Sequence, residues 1–140
     1  VELYKGGVVP LEAFDAMPYD RDVLVRVILP KRPGAAFAYQ AVRIGRTDLP
    51  VLNCAAARLD GGYRVAVGAR PGKAVLLRDD AGLLARGVDE ESAAAFGRWA
   101  AGQVPTGSNA RGSAAYRTHL VKVLSRRALL ALDRTGGDQG

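Results

Sequence analysis

The sequence predicts an α+β fold, a three- to four-stranded antiparallel sheet with three helices packed on one face, and three observations carry that reading. Extended runs of β-branched or alternating character fill residues 23 to 69. Asp60-Gly61-Gly62 divides two of those runs with hairpin-turn chemistry, because glycine adopts the positive φ that a tight turn needs. From Leu76 onward the apolar spacing is helical. Strands thus come first and helices last, and 140 residues suit one globular domain.

Residues 1–22 read as an N-terminal segment ahead of a domain at 23–132. Two short extended stretches, Val1 to Lys5 and Val8 to Leu11, are broken by Gly6-Gly7 and Pro10, and Met17 to Asp22 is polar turn chemistry. Val23 to Leu29 is a β-branched strand stopped by Pro30. After the turn Lys31-Arg32-Pro33-Gly34, Phe37, Tyr39 and Ala41 alternate with Ala38, Gln40 and Val42, which makes Ala35 to Ile44 a second strand. Gly45 to Pro50 interrupts the pattern as a loop, and strands resume over Val51 to Leu59 and Tyr63 to Ala69. Beyond Arg70-Pro71-Gly72 a short helix is expected within Leu76 to Ala85, with Gly87 as its stop. Asp89 then offers a carboxylate N-cap, and Glu90-Glu91 suits the positive end of a helix running to about Gln103 with Ala93, Phe96 and Ala100 on its buried stripe. Ser113 begins a last helix to about Leu132, and residues 133–140 form a Gly-rich tail expected to be disordered.

Composition narrows the function classes. Twenty Lys and Arg against 14 Asp and Glu give a net charge of +6, which makes nucleic acid a partner to weigh. The cations are spaced along the chain, however, with Lys31-Arg32 and Arg126-Arg127 as the adjacent pairs, and no aromatic RNP-like run or Cys/His finger accompanies them. A scattered solvated surface accounts for them. No apolar run reaches the ~20 residues of a membrane span, and Val1-Glu2-Leu3-Tyr4-Lys5 lacks the layout of a signal peptide, so a cytoplasmic chain is expected. Val1 in place of an initiator Met points to a processed chain or a fragment. One cysteine and one histidine allow neither an internal disulfide nor a four-ligand zinc site, so no metal site is expected. The Gly-Gly pairs match no phosphate-cradling loop.

The last helix carries the most physical information. At about 100° per residue from Tyr116, Leu120, Val123, Leu124 and Ala131 form an apolar stripe, with His119, Lys122 and Arg126 opposite. Arg127 is placed in the middle of that stripe and Arg117 at its margin, so both guanidiniums are expected to be buried against a carboxylate or main-chain carbonyls. An anionic ligand or partner subunit is the other reading of the two arginines. Cys54 alternates with inward Leu52 and Ala56 and reads as an inert buried thiol. His119 reads as a surface histidine.

Gly107-Ser108-Asn109-Ala110-Arg111-Gly112-Ser113-Ala114-Ala115-Tyr116-Arg117, followed by Leu120, Val123-Leu124 and Arg127-Ala128-Leu129, resembles a family signature of the form R-x-S-A-x-Y-R-x-x-L, then V-L, then R-A. It is that of the C-terminal domain of the flavoprotein (medium) subunit of molybdenum hydroxylases, the family of carbon monoxide dehydrogenase and xanthine dehydrogenase. Val9-Pro10-Leu11 with Phe14, the strand Leu24 to Pro30, the pattern of Phe37 or Tyr39, Arg43 and Asp48, and Arg64 to Pro71 resemble further pieces of it in order. The likeness covers nearly all of residues 8 to 132.

The resemblance implies a share in an oxidoreductase rather than an enzyme complete in itself, with no catalytic residue in this chain. In that family a molybdenum subunit holding molybdopterin hydroxylates substrate, an iron-sulfur subunit with 2Fe-2S centres relays electrons, and the flavin subunit passes them to NAD or another acceptor. The larger FAD-binding region precedes this domain there, so the chain corresponds to about the last third of such a subunit. By resemblance, this domain forms one wall of the flavin site, Leu24 lies near the isoalloxazine ring, and the stretch after Tyr39 through Asp48 lies beside it as a loop that can set access to the ring. Gln40 stands where many members carry Lys; it can hydrogen-bond a ring carbonyl but supplies no cation, and Arg43 is the nearest one. Pro50 stiffens the loop. The cofactor-binding candidates are therefore Leu24, Gln40, Arg43 and Asp48, and the loop from Ala41 to Asp48, which carries Arg43 and Asp48, is expected to project beyond the sheet. The competing reading is a stand-alone α+β module that docks a protein or nucleic acid and has no redox role.

Overall fold

Pairing partners, more than local propensity, decide where strands form in this chain. The computed structural model describes residues 1–18, 21–60 and 62–136. The chain divides into two compact units, Val1–Pro33 and the remainder from Gly34. In the first, β1 (Glu2–Leu3), β2 (Gly7–Val8) and β3 (Leu24–Arg26) make a small antiparallel sheet in the order β2-β1-β3. The predicted strand at 23–29 shrinks to three residues because β1 offers only Glu2 and Leu3 to pair with. Asp22 staples this unit: its carboxylate accepts the amides of Lys5, Gly6 and Val23, and the Lys5 amide leads the effects that hold its pKa below the ordinary value. Pro10, with φ of −59°, opens a helix the sequence reading did not include, α1 (Leu11–Ala16). Tyr19 and Asp20, within the predicted polar turn, lie outside the described residues.

The second unit is a four-stranded antiparallel sheet, β4 (Ala36–Val42), β5 (Leu52–Leu59), β6 (Gly62–Gly68) and β7 (Val75–Arg78), in sequential order. Meander connections of this kind keep neighbours in sequence adjacent in space. The β5–β6 hairpin forms as predicted, with Asp60 at a φ of 48°, while Gly61 lies outside the described residues. The short helix expected within Leu76 to Ala85 is not there. Leu76 and Leu77 instead pair with Ala66 and Val65 as the edge strand β7, and the Asp79 carboxylate accepts the amides of Leu83 and Leu84, closing a turn where helical propagation would begin. Propensity lost to the ladder that β6 offers.

Two long helices cover one face of this sheet, α2 (Glu90–Gln103) and α3 (Ala114–Gly136). Helix α3 lies against β4 and β5, and α2 packs on α3. The shared core holds Leu52, Cys54, Val65, Val67, Phe96 and Leu124, and the third helix, α1, belongs to the first unit. At the helix crossing, a Cβ added to Gly97 would sit 2.5 Å from the main-chain oxygen of Lys122, so that position admits nothing larger than glycine without displacement.

Helix α3 corrects the predicted phase. Its buried residues are Arg117, Leu120, Val121, Leu124, Ser125, Ala128, Leu129 and Leu132, whereas Tyr116 is 45% exposed and Arg127 is exposed. The stripe is thus centred about 120° round the helix from Tyr116, on the side of Arg117. Arg117 is 1% exposed, as expected; Arg127, next to Tyr116 on the wheel, faces solvent. Helix α3 continues past the expected end near Leu132, and residues 137–140 of the predicted tail lie outside the described residues. Among the described residues no helix is long and apolar enough to cross a membrane.

Candidate functional site

Three loops meet hydrogen-bonding partners at one end of the four-stranded sheet: the β4–β5 loop (residues 43–51), the β6–β7 loop (69–74) and the α2–α3 loop (104–113). The first carries two of the predicted residues. Its ends are drawn together by the Val51 amide, which donates to the Val42 carbonyl at 2.7 Å. Within it the Arg43 guanidinium donates to the main-chain carbonyl of Asp48, the Asp48 amide donates to the Gly45 carbonyl, and the Asp48 carboxylate accepts the Leu49 amide at 3.2 Å. Arg43, Ile44, Arg46, Thr47 and Leu49 are exposed, so the loop projects from the sheet as its Gly45 break predicts.

Gln40 sits three residues before Arg43 on β4, in register with Cys54, and shares the helix-covered face of the sheet. It is half-buried. The structure therefore brings Arg43 and Asp48 together through a main-chain contact and sets Gln40 on the strand that leads into their loop. Leu24 lies on β3 in the first unit, 46% exposed, among the exposed apolar residues Val23, Val25, Val27, Ile28 and Leu29.

The other two loops are organised by arginines. Arg117 sends Nε to the Val51 carbonyl at 2.9 Å, Nη1 to the carbonyls of Gly107 and Gly112 at 2.6 Å each, and Nη2 to the Asn109 side-chain oxygen at 2.6 Å. A buried guanidinium is tolerated because carbonyl dipoles surround it. Arg70 donates through Nε to the Lys73 carbonyl at 2.6 Å and through Nη1 to the Pro105 carbonyl at 2.7 Å, and its own carbonyl accepts the Gly107 amide at 2.7 Å. Ala69 beside it holds a φ of 59°, a left-handed conformation that a non-glycine residue keeps only where surrounding contacts fix it. The roles of Arg70, Gly107 and Asn109 were not read from the sequence. Asn and Gly signal a turn, but Val51 stands 66 residues from Arg117, and no local signal spans that distance.

The face of the sheet turned away from α2 and α3 is largely apolar, with Asn53, Arg64 and Arg78 as polar members, where an exposed face would ordinarily be mostly polar. Cross-strand rows place Phe37 beside Ala57 and Arg64, and Tyr39 beside Ala55, Ala66 and Leu76. Phe37 is 62% and Tyr39 56% exposed, and they border a shallow hollow of ≈ 390 Å³ floored by alanines.

The one cysteine is not placed as a nucleophile. Cys54 is fully buried, and burial pushes its thiol up to about 11 despite the opposing contact of the Ser125 hydroxyl at 3.8 Å. A thiol so placed carries almost no thiolate near neutrality. Among the described residues no group of three or more His, Cys, Asp or Glu is placed to hold a metal ion.

Comparison with known proteins gives one family and several structures. The model of the CO dehydrogenase flavoprotein C-terminal domain matches residues 37–132. A chain of the carbon monoxide dehydrogenase from Hydrogenophaga pseudoflava, in a form lacking the Mo-pyranopterin moiety of the molybdenum cofactor, is similar at 26% identity and a TM-score of 0.63, over 74% of this chain and 38% of that one. A chain of quinoline 2-oxidoreductase from Pseudomonas putida 86 shares the fold at 20% identity and a TM-score of 0.59, over 74% of this chain and 39% of that one. A chain of reconstituted CO dehydrogenase from Oligotropha carboxidovorans does so at 19% identity and a TM-score of 0.59, over 74% and 38%. No curated protein matches at a significant level. The chain spans under two fifths of the length of these solved chains.

Proposed function

This chain belongs to the CO dehydrogenase flavoprotein C-terminal domain family, and from that premise we propose that it forms one wall of the flavin site in a molybdenum hydroxylase. The observation that carries the reading is the projecting β4–β5 loop, which presents Arg43 and Asp48 within the matched residues. In this reading the chain works with a flavin-binding region, an iron-sulfur subunit and a molybdenum subunit, and electrons leave the flavin for NAD or another acceptor. The apolar sheet face bearing Phe37 and Tyr39 supports a life in an assembly, since a second macromolecule would cover it.

The side chains fit the ring of FAD and not its pyrophosphate. Within the second unit, the exposed Arg43 offers a cation for a ring edge. The sequence holds no glycine-rich phosphate cradle. FAD, when bound, supplies the redox chemistry; this chain positions, shields and electrostatically biases it. Arg43 favours negative charge beside it, because an opposite charge within a few ångströms stabilises the ionised form. Asp48 fixes the loop through its main-chain carbonyl and places a carboxylate at the rim. Gln40, half-buried on the helix-covered face, serves as an uncharged hydrogen-bonding group where the strand enters the loop.

The test uses this chain assembled with its flavin-binding region. Arg43→Ala and Asp48→Ala are expected to shift the flavin midpoint potential or the rate with NAD, with thermal stability nearly unchanged, because both side chains lie on an exposed loop. Wild-type flavin behaviour in both variants overturns the site. The isolated 140 residues are expected to purify without FAD, and stoichiometric FAD in that material overturns the division of labour.

A further inference from the structure

We propose that Arg117 is the positioning residue for the β4–β5 loop, acting through a node that locks three loops into one platform. The inference rests on the reading that this loop faces the flavin. Val51 is the hinge of the argument. It is 2% exposed, its amide is engaged by Val42 and its carbonyl by Arg117 Nε, so both main-chain polar groups at the exit of the loop are held.

The same guanidinium holds the α2–α3 loop at three points: the carbonyls of Gly107 and Gly112 and the side chain of Asn109. Asn109 and Gly112 also exchange main-chain hydrogen bonds of 3.1 Å each, which makes the segment between them a closed turn. Gly112 lies so near the hinge that a Cβ there would stand 3.1 Å from Val51 Cγ1. Gly107 then relays the lock, since its carbonyl faces Arg117 while its amide donates to Arg70. Arg70 closes the chain by reaching Pro105 and Lys73, and this accounts for the left-handed backbone kept at Ala69. A single planar fork serves acceptors on two loops, a geometry that an ammonium on a flexible stem cannot reproduce.

Amide hydrogen exchange on this chain and flavin potentiometry on its FAD-loaded assembly test the proposal together. Arg117→Lys is expected to speed exchange at Val51 and Gly107 by about tenfold or more while Val65 and Val67 in mid-sheet stay protected. Asn109→Ala, a milder change at an exposed residue, is expected to give the same pattern more weakly, and it keeps the test open if the lysine variant does not fold. The Arg117→Lys assembly should shift the flavin potential in the same direction as Arg43→Ala. Faster exchange confined to residues 107–113, or rising equally at Val65 and Val67, overturns the coupling between loops. A potential that responds to Arg43→Ala but not to Arg117→Lys overturns the positioning role. Faster loop exchange with an unmoved potential in Arg117→Lys, Arg43→Ala and Asp48→Ala alike overturns the flavin reading and leaves the coupling standing.

Discussion

The two long helices of this domain begin in opposite ways. Helix α2 starts with a device contained in four residues: the Asp89 carboxylate accepts the Ser92 amide at 2.7 Å, and the Ser92 hydroxyl accepts the Asp89 amide at 2.9 Å. Helix α3 starts with two hydroxyls, Ser113 accepting the Tyr116 amide at 3.2 Å and Ser108 accepting the Ala114 amide at 2.8 Å, and its first turn also carries Arg117, whose side chain reaches Val51, 66 residues away. Each start satisfies orphan backbone groups. The difference lies in reach: losing the first frays one helix end, whereas losing the second releases a strand and two loops.

The largest effect is therefore expected at Arg117. Arg117→Met keeps much of the volume but leaves the carbonyls of Val51, Gly107 and Gly112 without their donor, a loss of about 3 kcal/mol or more in urea unfolding. A loss no greater than that of an exposed substitution would erase the contrast between the two helix starts.

Next in size is the alkaline response of Cys54, which ties β5 to α3 through Ser125. Its thiol titrates near 9.0 when unfolded and near 11 when folded, so between those values the unfolded chain releases a proton that the folded one keeps. The stability present below the unfolded value is lost as pH rises from 9.0 toward 11, by about 2–3 kcal/mol in all. Cys54→Ala should flatten that limb of a Tm-against-pH curve, and an unchanged slope would show that the thiol is solvated.

A smaller effect is expected where the helices cross. Gly97→Ala gains about 1 kcal/mol of helix propensity but forces Cβ against the Lys122 carbonyl, which costs about 1–3 kcal/mol. The net change should be a modest destabilisation. A stabilised variant would mean that α2 and α3 stand apart at this point.

These contrasts also explain what the sequence disclosed. Asp89, the hairpin at Asp60, the alternation over β4 and β5 and the projecting loop at Gly45 were legible because each signal lies within a few residues. The α+β class followed from their order. Strand β7 was not legible, because Leu76 and Leu77 take their conformation from β6. The phase of α3 was misjudged by starting from Tyr116, an aromatic that packs at the rim, while the buried cation beside it looked like the exception. Burial of Arg117 was expected on the grounds of its wheel position, yet its acceptors come from two loops and could not be named in advance. Of the candidate site, Arg43 and Asp48 were found as neighbours, and the loops that support them were invisible to spacing.

The smallest expected effect belongs to the local start of α2. The Ser92 amide and hydroxyl, contacting the ionised Asp89 side chain and its backbone, hold the Asp89 carboxyl below its ordinary pKa, with the amide contact the largest cause. A depressed folded pKa means that the ionised cap stabilises the fold above the ordinary carboxylate value of 3.8 and that this contribution is lost as pH falls through the lower folded value. Asp89 is exposed, so solvent screens the charge and the effect stays below the three above. Asp89→Asn keeps an acceptor for the Ser92 amide and removes the titration, whereas Asp89→Ala removes both. The Asn variant should thus fall slightly short of the parent at pH 7 and close that gap as pH falls below 3.8 and the parent's carboxylate is protonated, whereas the Ala variant should be weaker throughout. Exchange at the Val51 amide should be untouched in either variant. A response there to Asp89→Ala would show that the two helix starts are coupled, and that the boundary drawn between a local and a long-range device is misplaced.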